Sequence, residues 1–223
     1  FDVTAPANQV EDGFEQITDY KKAEKVLDQA KESTCVGAVI FQNTENVLPL
    51  FANEAAIGGI GLCFDEEHAY CIEVTEQITK EFLLEKLSKL NESCGRFVMF
   101  DIKEAMKWLP IKNQKHCFDA TVAAYLLNPL KNDYTYEDVA REQLNIVIEE
   151  KSEAYVKVCY EAYTAFKGSD LLYKKLEETQ MLHLFEDIEM PLVFTLYDME
   201  RNGIRAEGEA LKVYSSQLGG RIS

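Results

Sequence analysis

The chain has 223 residues, and its 23 Lys and Arg against 39 Asp and Glu give a formal net charge of −16 at pH 7. With 47% hydrophobic and 28% charged residues, it has the balance of a globular protein and not that of a disordered or fibrous one. The excess of acid argues against a protein that binds nucleic-acid phosphates without sequence preference, because such proteins present clustered Lys and Arg.

In chain order, the first half of the sequence alternates between helix and strand patterns. Residues 1–13 show no hydrophobic period and are interpreted as a linker or tail. The predicted elements that follow are a helix over 19–31, a buried strand over 35–41, a hairpin of strands over 57–64 and 69–74, a helix over 82–90, a strand over 96–100, and a helix from 102 that Pro110 ends.

The second half is mainly helical. Asp119 stands where an N-cap belongs, before a helix over 120–127. Further helices are predicted over 136–144, 154–166, 171–184 (after a break at Gly168-Ser169), 185–201 and from Glu207 onward, with a start or kink at Pro191 and a stop at Asn202-Gly203. Strands flanked by helices in this order indicate an α/β layer architecture.

The cysteines and the hydropathy of the sequence indicate the cellular compartment of the protein. The six cysteines contain no Cys-x-x-Cys pair, which is typical of reduced thiols in an intracellular protein. We find neither an apolar run of the ~18 residues that a membrane span needs nor a secretory signal, so we expect a cytoplasmic protein with no membrane partner. Because the chain starts with Phe1 and stops inside a helical pattern at Ser223, we interpret it as part of a longer protein.

Local motifs alone assign no site. The pair His116-Cys117 is a poor zinc site, because neighbours in sequence rarely bind one metal together. The glycines of Gly58-Gly59-Ile60-Gly61 lie in a strand pattern, which favours a bulge or a close backbone approach over a phosphate-binding loop. Nucleophile-elbow, P-loop and dinucleotide-binding motifs are missing from the sequence, and its acidic runs are typical of a solvated surface.

Two longer stretches carry a family resemblance. Residues 185–205, FEDIEMPLVFTLYDMERNGIR, resemble the junction between the 3′–5′ exonuclease domain and the thumb in family A bacterial DNA polymerases. Residues 118–129, FDATVAAYLLNP, resemble a segment of the same exonuclease domain. The resemblance implies a ribonuclease H-like mixed sheet flanked by helices over 14–184, and the first thumb helices of the polymerase domain over 185–223.

The resemblance also implies a two-metal phosphodiester hydrolysis, with Mg²⁺ or Mn²⁺ bound by Asp-x-Glu on the first strand. Retaining the aromatic residue before that motif places Gln42 and Thr44 at its two acidic positions. A shift of one residue places Asn43 and Glu45 there instead. In both registers the aspartate that bridges the two metals is replaced by a neutral amide.

The other two metal-binding motifs of the family are also altered. In the middle motif Glu104 takes the position of the aspartate, while Asp101 lies nearer the strand end and Lys103 is expected to neutralise part of the site. The late Tyr-x-x-x-Asp motif is missing. Its position falls at Cys159, Tyr160 and Glu161, and neither Cys nor Tyr is a suitable Mg²⁺ ligand.

The sequence therefore predicts a degenerate exonuclease-like domain of a polymerase that acts in DNA replication and repair, without catalytic or cofactor-binding residues of its own. Its expected partners are the polymerase body of the same chain and DNA, which this part binds weakly or not at all. One alternative is an active exonuclease that binds Mg²⁺ or Mn²⁺ through Glu45, Glu104 and Glu161. Another is an acidic protein-interaction module.

Overall fold

A computed structural model describes residues 10–43, 56–131, 134–203, 205 and 207–222 of the chain. Within these residues, six strands form one mixed sheet in the order β1-β4-β3-β2-β5-β6. The strands are β1 (Phe14–Ile17), β2 (Cys35–Gln42), β3 (Ile57–Cys63), β4 (Ala69–Glu73), β5 (Arg96–Met99) and β6 (Cys117–Asp119). The predicted α/β class, a mixed sheet flanked by helices, is confirmed.

Helices cover the sheet and lead out of it. They are α1 (Tyr20–Ala30), α2 (Lys80–Ser93), α3 (Ile102–Ala105), α4 (Ala120–Leu127), α5 (Tyr136–Leu144), α6 (Ala154–Glu178), α7 (Met190–Asn202) and α8 (Gly208–Ile222). A helical turn over Leu182–Leu184 and a π-helical turn over Phe185–Glu189 connect α6 to α7. Among the described helices, none is long and apolar enough to span a membrane.

The pairing of the strands follows from their connections. β2, β3 and β4 follow one another in the chain and pair antiparallel, with Val39 opposite Gly61 and Ile60 opposite Ile72. β5 and β6 follow helical crossovers and pair parallel, β5 with β2 and β6 with β5. The carboxyl ends of β2, β5 and β6 therefore meet at one edge of the sheet.

Alternating residues of the central strands build two hydrophobic clusters. Val36, Ala38 and Ile60 belong to the cluster that includes the buried residues of α1 and α2. Val39 and Cys63 belong to a second cluster with α6. The period of two along β2 thus places helices on both faces of the sheet.

Glycines let α6 approach the sheet closely. A Cβ atom at Gly37 would lie 2.3 Å from the backbone oxygen of Ala162, and one at Gly61 would lie 2.7 Å from Val158 Cγ1. At Gly59 a Cβ would lie 2.2 Å from the backbone oxygen of Ile72, and at Gly58 it would lie 2.7 Å from the ring of Phe41. The close backbone approach predicted for this glycine-rich strand is confirmed.

Most predicted elements are confirmed within a few residues, but the break at Gly168-Ser169 is wrong. α6 runs through both residues without interruption, and both are buried. The hydroxyl of Ser169 donates to the carbonyl of Phe166 at 2.8 Å, inside the helix. Gly168 packs against α5, where a Cβ would lie 3.3 Å from Val139 Cγ1, so this glycine serves packing and not helix termination.

The predictions at α7 are confirmed. Pro191 lies in the first turn of α7, directly after the π-helical turn, which agrees with the predicted helix start or kink. Gly203 ends the helix with a φ of 65°, and its N–H donates to the carbonyl of Met199 at 3.0 Å. Residues 204 and 206 lie outside the described part of the chain.

Candidate functional site

The carboxyl edge of β2 and β5 is the candidate site, because ligands of open α/β sheets bind beyond the carboxyl ends of parallel strands. β5 pairs with β2 through Cys35–Arg96, Val36–Phe97 and Gly37–Val98. Gln42 is the last residue of β2, and Asp101 follows β5 by two residues. The topology thus brings the first and middle motif positions to the same edge of the sheet.

The position predicted for the first motif presents neutral amides. Gln42 and Asn43 are both exposed at the end of β2, where the register with β3 shifts between Phe41 and Gln42. The backbone N–H of Asn43 donates to the carbonyl of Ala56 at 2.9 Å, which closes the end of the ladder. Thr44 and Glu45 lie outside the described residues.

The middle motif position is a short capped turn. Asp101 adopts a left-handed conformation with φ 50°, and its carboxylate accepts the backbone N–H of Glu104 at 3.2 Å. The exposed carboxylate of Glu104 pairs with Lys107 at 2.5 Å. The ammonium of Lys103 pairs with Glu200 of α7 at 2.7 Å, and this pair, followed by the charges of Asp101 and Glu104, raises its pKa.

Two of the three residues at the position predicted for the late motif face β1 and β4, on the other side of the sheet from β5 and β6. The thiol of Cys159 is buried against β4 and donates to the carbonyl of Ala69 at 3.5 Å, and burial raises its pKa to about 12. The Tyr160 hydroxyl donates to the Glu11 carboxylate at 2.6 Å, and its ring meets Phe14 of β1 edge-on at 4.8 Å. Both side chains therefore belong to the packing of α6 on β1 and β4.

Glu161 is the late motif residue that faces α5. Its carboxyl is partly buried, and burial, followed by the nearby charge of Glu137, raises its pKa to about 7. Burial also raises the pKa of Tyr136, and Glu137 and Glu161 add to this effect. The ring of Tyr136 lies 6.4 Å from that of Phe100, directly after β5, so Glu161 is linked to the candidate edge through Tyr136.

Asp119 is a buried carboxylate that accepts hydrogen bonds from the first turns of two helices. It accepts the backbone N–H groups of Thr121 at 2.9 Å and Val122 at 3.2 Å, as predicted for an N-cap of α4. It also accepts the N–H of Ile102 at 2.8 Å, which ties α3 to the end of β6. Burial raises its pKa to about 6, against the opposing effect of these hydrogen bonds. The contact with Ile102 has no local sequence signal.

The described donor set does not fit two divalent cations. Paired Mg²⁺ or Mn²⁺ ions need several anionic oxygens that converge on one point. In the described part of the chain, no three His, Cys, Asp or Glu side chains are grouped so that they could hold a metal ion. The carboxylate of Glu104 pairs with Lys107, and that of Glu161 lies near Glu137.

A cavity of about 680 Å³ lies at the opposite, amino-terminal edge of β5 and β6, and sequence reasoning missed it. Arg96 lines it, stacked over Tyr173 at 4.7 Å and paired with Asp170 at 2.7 Å. Phe118 and Phe185 form its apolar side, with ring centroids 4.8 Å apart. The guanidinium of Arg96 is thus paired within the chain, and Lys115 is a second cation of the lining.

Similar sequences come from bacterial polymerases, although no protein-family model matches the chain. The chain is 30% identical over 183 residues to DNA polymerase I of Bacillus subtilis, which covers 71% of this chain and 20% of that protein. It is 28% identical over 209 residues to DNA polymerase I of Borreliella burgdorferi. This match covers 83% of this chain and 23% of that protein. The chain thus spans about a fifth of the length of these curated relatives.

Similar solved structures include a polymerase and a nuclease. The POL domain of Pol1 from M. smegmatis, in complex with DNA primer-template and dNTP, matches 93% of this chain and 35% of its own, with a TM-score of 0.70 and 18% identity. Brucella melitensis NrnC with bound Mg²⁺ matches 85% of this chain and 93% of its own, with a TM-score of 0.61 and 15% identity. At identities this low, the similarity shows a shared fold, and the predicted fold class agrees with it.

Proposed function

The chain is related to bacterial DNA polymerase I, and we propose that it serves there as an exonuclease-like structural domain whose proofreading activity is lost. The parent protein would be a DNA-directed DNA polymerase that acts in replication and repair. This part would pack against the polymerase body and position the helices that lead into it.

The observation that carries the proposal is the pair of neutral amides at the end of β2. Gln42 and Asn43 stand where an active site of this fold needs a carboxylate to bridge two cations. An amide oxygen carries no formal charge, so it leaves the mutual repulsion of two dications uncompensated. The placement of Cys159 and Tyr160 toward β4 and β1 supports the same conclusion, because these side chains replace no missing ligand.

Release of nucleotide from 3′-labelled single-stranded DNA in Mn²⁺ tests the proposal. We expect the chain to release no more label than a buffer control, while an active exonuclease assayed in parallel degrades the substrate. Release that Glu104→Gln or Glu161→Gln abolishes would overturn the proposal, since a contaminating nuclease would be insensitive to either substitution.

An active exonuclease with a rearranged site is the second candidate, and the environment of Glu161 favours it. A partly buried carboxyl with a raised pKa is a common feature of functional sites. In this candidate Glu161 acts with Glu104 and Glu45. Activity that rises with pH and is lost in Glu45→Gln would support it over the structural role.

A further inference from the structure

The inner face of α7 is packed on the exonuclease-like domain. Met190, Val193 and Phe194 are buried in the same hydrophobic cluster as Phe118 and Phe185. Their spacing of three and one places them on one side of the helix, and Tyr197 and Glu200 continue that side toward the carboxyl end. Apolar packing secures the first half of α7, but it is non-directional and does not by itself fix the direction of the second half.

Two polar contacts hold the second half of α7 on the turn that begins with α3. The Tyr197 hydroxyl donates to the carbonyl of Met106 at 2.9 Å. The ammonium of Lys103 pairs with Glu200 at 2.7 Å. Tyr197 and Glu200 are three residues apart on one helix face, and Lys103 and Met106 are three residues apart on the other segment. The two contacts therefore run antiparallel and define one register.

The turn itself is fixed to the sheet. Asp119, at the end of β6, accepts the N–H of Ile102 at 2.8 Å, and Asp101 caps the turn through the N–H of Glu104. Both Ile102 and Ala105 are buried. A displacement of the carboxyl end of α7 must therefore break its contacts with a turn that cannot follow it.

We propose that the segment corresponding to the middle metal-binding motif, residues 101–106, is a docking platform that fixes the direction in which α7 leaves the domain. The proposal rests on the structural role proposed above and assigns that role to named contacts. The face of α7 opposite the platform carries the exposed apolar residues Leu192, Leu196 and Met199, and Ile188 of the preceding π-helical turn is exposed as well. The platform thereby fixes the orientation of an apolar stripe that the domain itself leaves uncovered.

Hydrogen–deuterium exchange of the full 223-residue chain, read by mass spectrometry, tests the platform. In Tyr197→Phe we expect amides of residues 194–202 to exchange about fivefold faster, the factor that corresponds to a hydrogen bond of ~1 kcal/mol. In Lys103→Gln we expect about a twofold increase in the same segment, because the ion pair is partly exposed.

Matched controls separate the platform from general effects. Lys107→Gln alters the same turn without removing a contact to α7, and Tyr214→Phe removes an exposed hydroxyl on α8, so both are expected to leave residues 194–202 unchanged. Unchanged exchange in both test variants, or an equal increase in β5 and α4, would overturn the proposal. Nuclease activity does not enter this readout, so its outcome is independent of the test of the proposed function.

Discussion

At the scale of single residues, three carboxyl groups near the carboxyl edge of the sheet differ in their neighbours. Asp119 accepts three backbone N–H groups, Glu104 pairs with a lysine in solvent, and Glu161 faces another acid. An active two-metal site needs such groups to converge on a cation. Here each one interacts with a different part of its own surroundings, and this dispersal is the physical basis of the proposed inactivity.

The raised pKa of Glu161 predicts a pH dependence of stability. An unfolded glutamate titrates near pH ~4.3, whereas Glu161 in the folded chain has a pKa of about 7. The folded state therefore binds the proton more strongly, and the free energy of unfolding falls as pH rises from ~4.3 to 7. Glu161→Gln should remove this loss and be more stable than wild type above pH 7, by on the order of 3 kcal/mol.

Urea unfolding of both proteins between pH 4 and pH 8 measures the difference. Glu150→Gln, at an exposed position, is the control and should follow the wild-type curve. A constant difference between Glu161→Gln and wild type across this range would contradict the assigned environment of Glu161.

Asp119 is expected to contribute to stability and not to catalysis. Asp119→Ala leaves the N–H groups of Ile102, Thr121 and Val122 without their acceptor in a buried position, and we expect a loss of about 2–4 kcal/mol in the free energy of unfolding. Asp19→Ala, which removes the cap of the exposed start of α1, should cost about 1 kcal/mol. Equal losses in the two variants, measured by urea unfolding, would show that the contact with Ile102 adds nothing.

At the scale of elements, the contact between α6 and β2 depends on a glycine. A Cβ at Gly37 would lie 2.3 Å from the backbone oxygen of Ala162 and 2.5 Å from the backbone nitrogen of Phe166. Because these are backbone atoms, the helix must move, and Gly37→Ala should lower the free energy of unfolding by about 1–3 kcal/mol or more. Gly208→Ala meets no atom within 4 Å and should unfold at the wild-type urea concentration.

The sequence predicted elements well where a clear hydrophobic pattern marks them. Hydrophobic periods located α1, β2 and the β3–β4 hairpin within about two residues of their ends. β1 and β6 were missed because their four and three residues show neither a period nor an apolar run like that of Phe97, Val98 and Met99 in β5. Their pairing with β4 and β5 depends on tertiary contacts that no local pattern encodes.

The candidate site was predictable only in part. Spacing from the family motifs brought Gln42 and Glu104 to one edge, and the parallel pairing of β2 and β5 agrees with this. The sequence did not predict which neighbours the α6 side chains face. Successive residues of a helix are rotated by about 100°, so Cys159, Tyr160 and Glu161 point in different directions, and which element each one meets depends on the tertiary packing. The partners of Lys103 and Tyr197 lie 97 and 91 residues away, beyond the reach of any local motif.

At the scale of the whole molecule, charge predicts weak DNA binding. The net charge of −16 gives the chain a field that repels phosphates, and the described lysines 22, 31, 86, 89, 103, 107 and 167 pair with acids. We expect no mobility shift of a primer-template by micromolar protein at ~0.15 M salt. Sub-micromolar binding under these conditions would contradict this electrostatic argument.

Calorimetric titration of the chain with Mn²⁺ tests the central claim most directly, because it measures the two-cation site itself. Glu104→Gln and Glu161→Gln serve as matched variants, since weak binding to the acidic surface should be the same in all three proteins. We predict superimposable isotherms without a saturable two-site component. Two ions bound per chain at millimolar affinity or tighter in the wild type, and lost in either variant, would contradict the account.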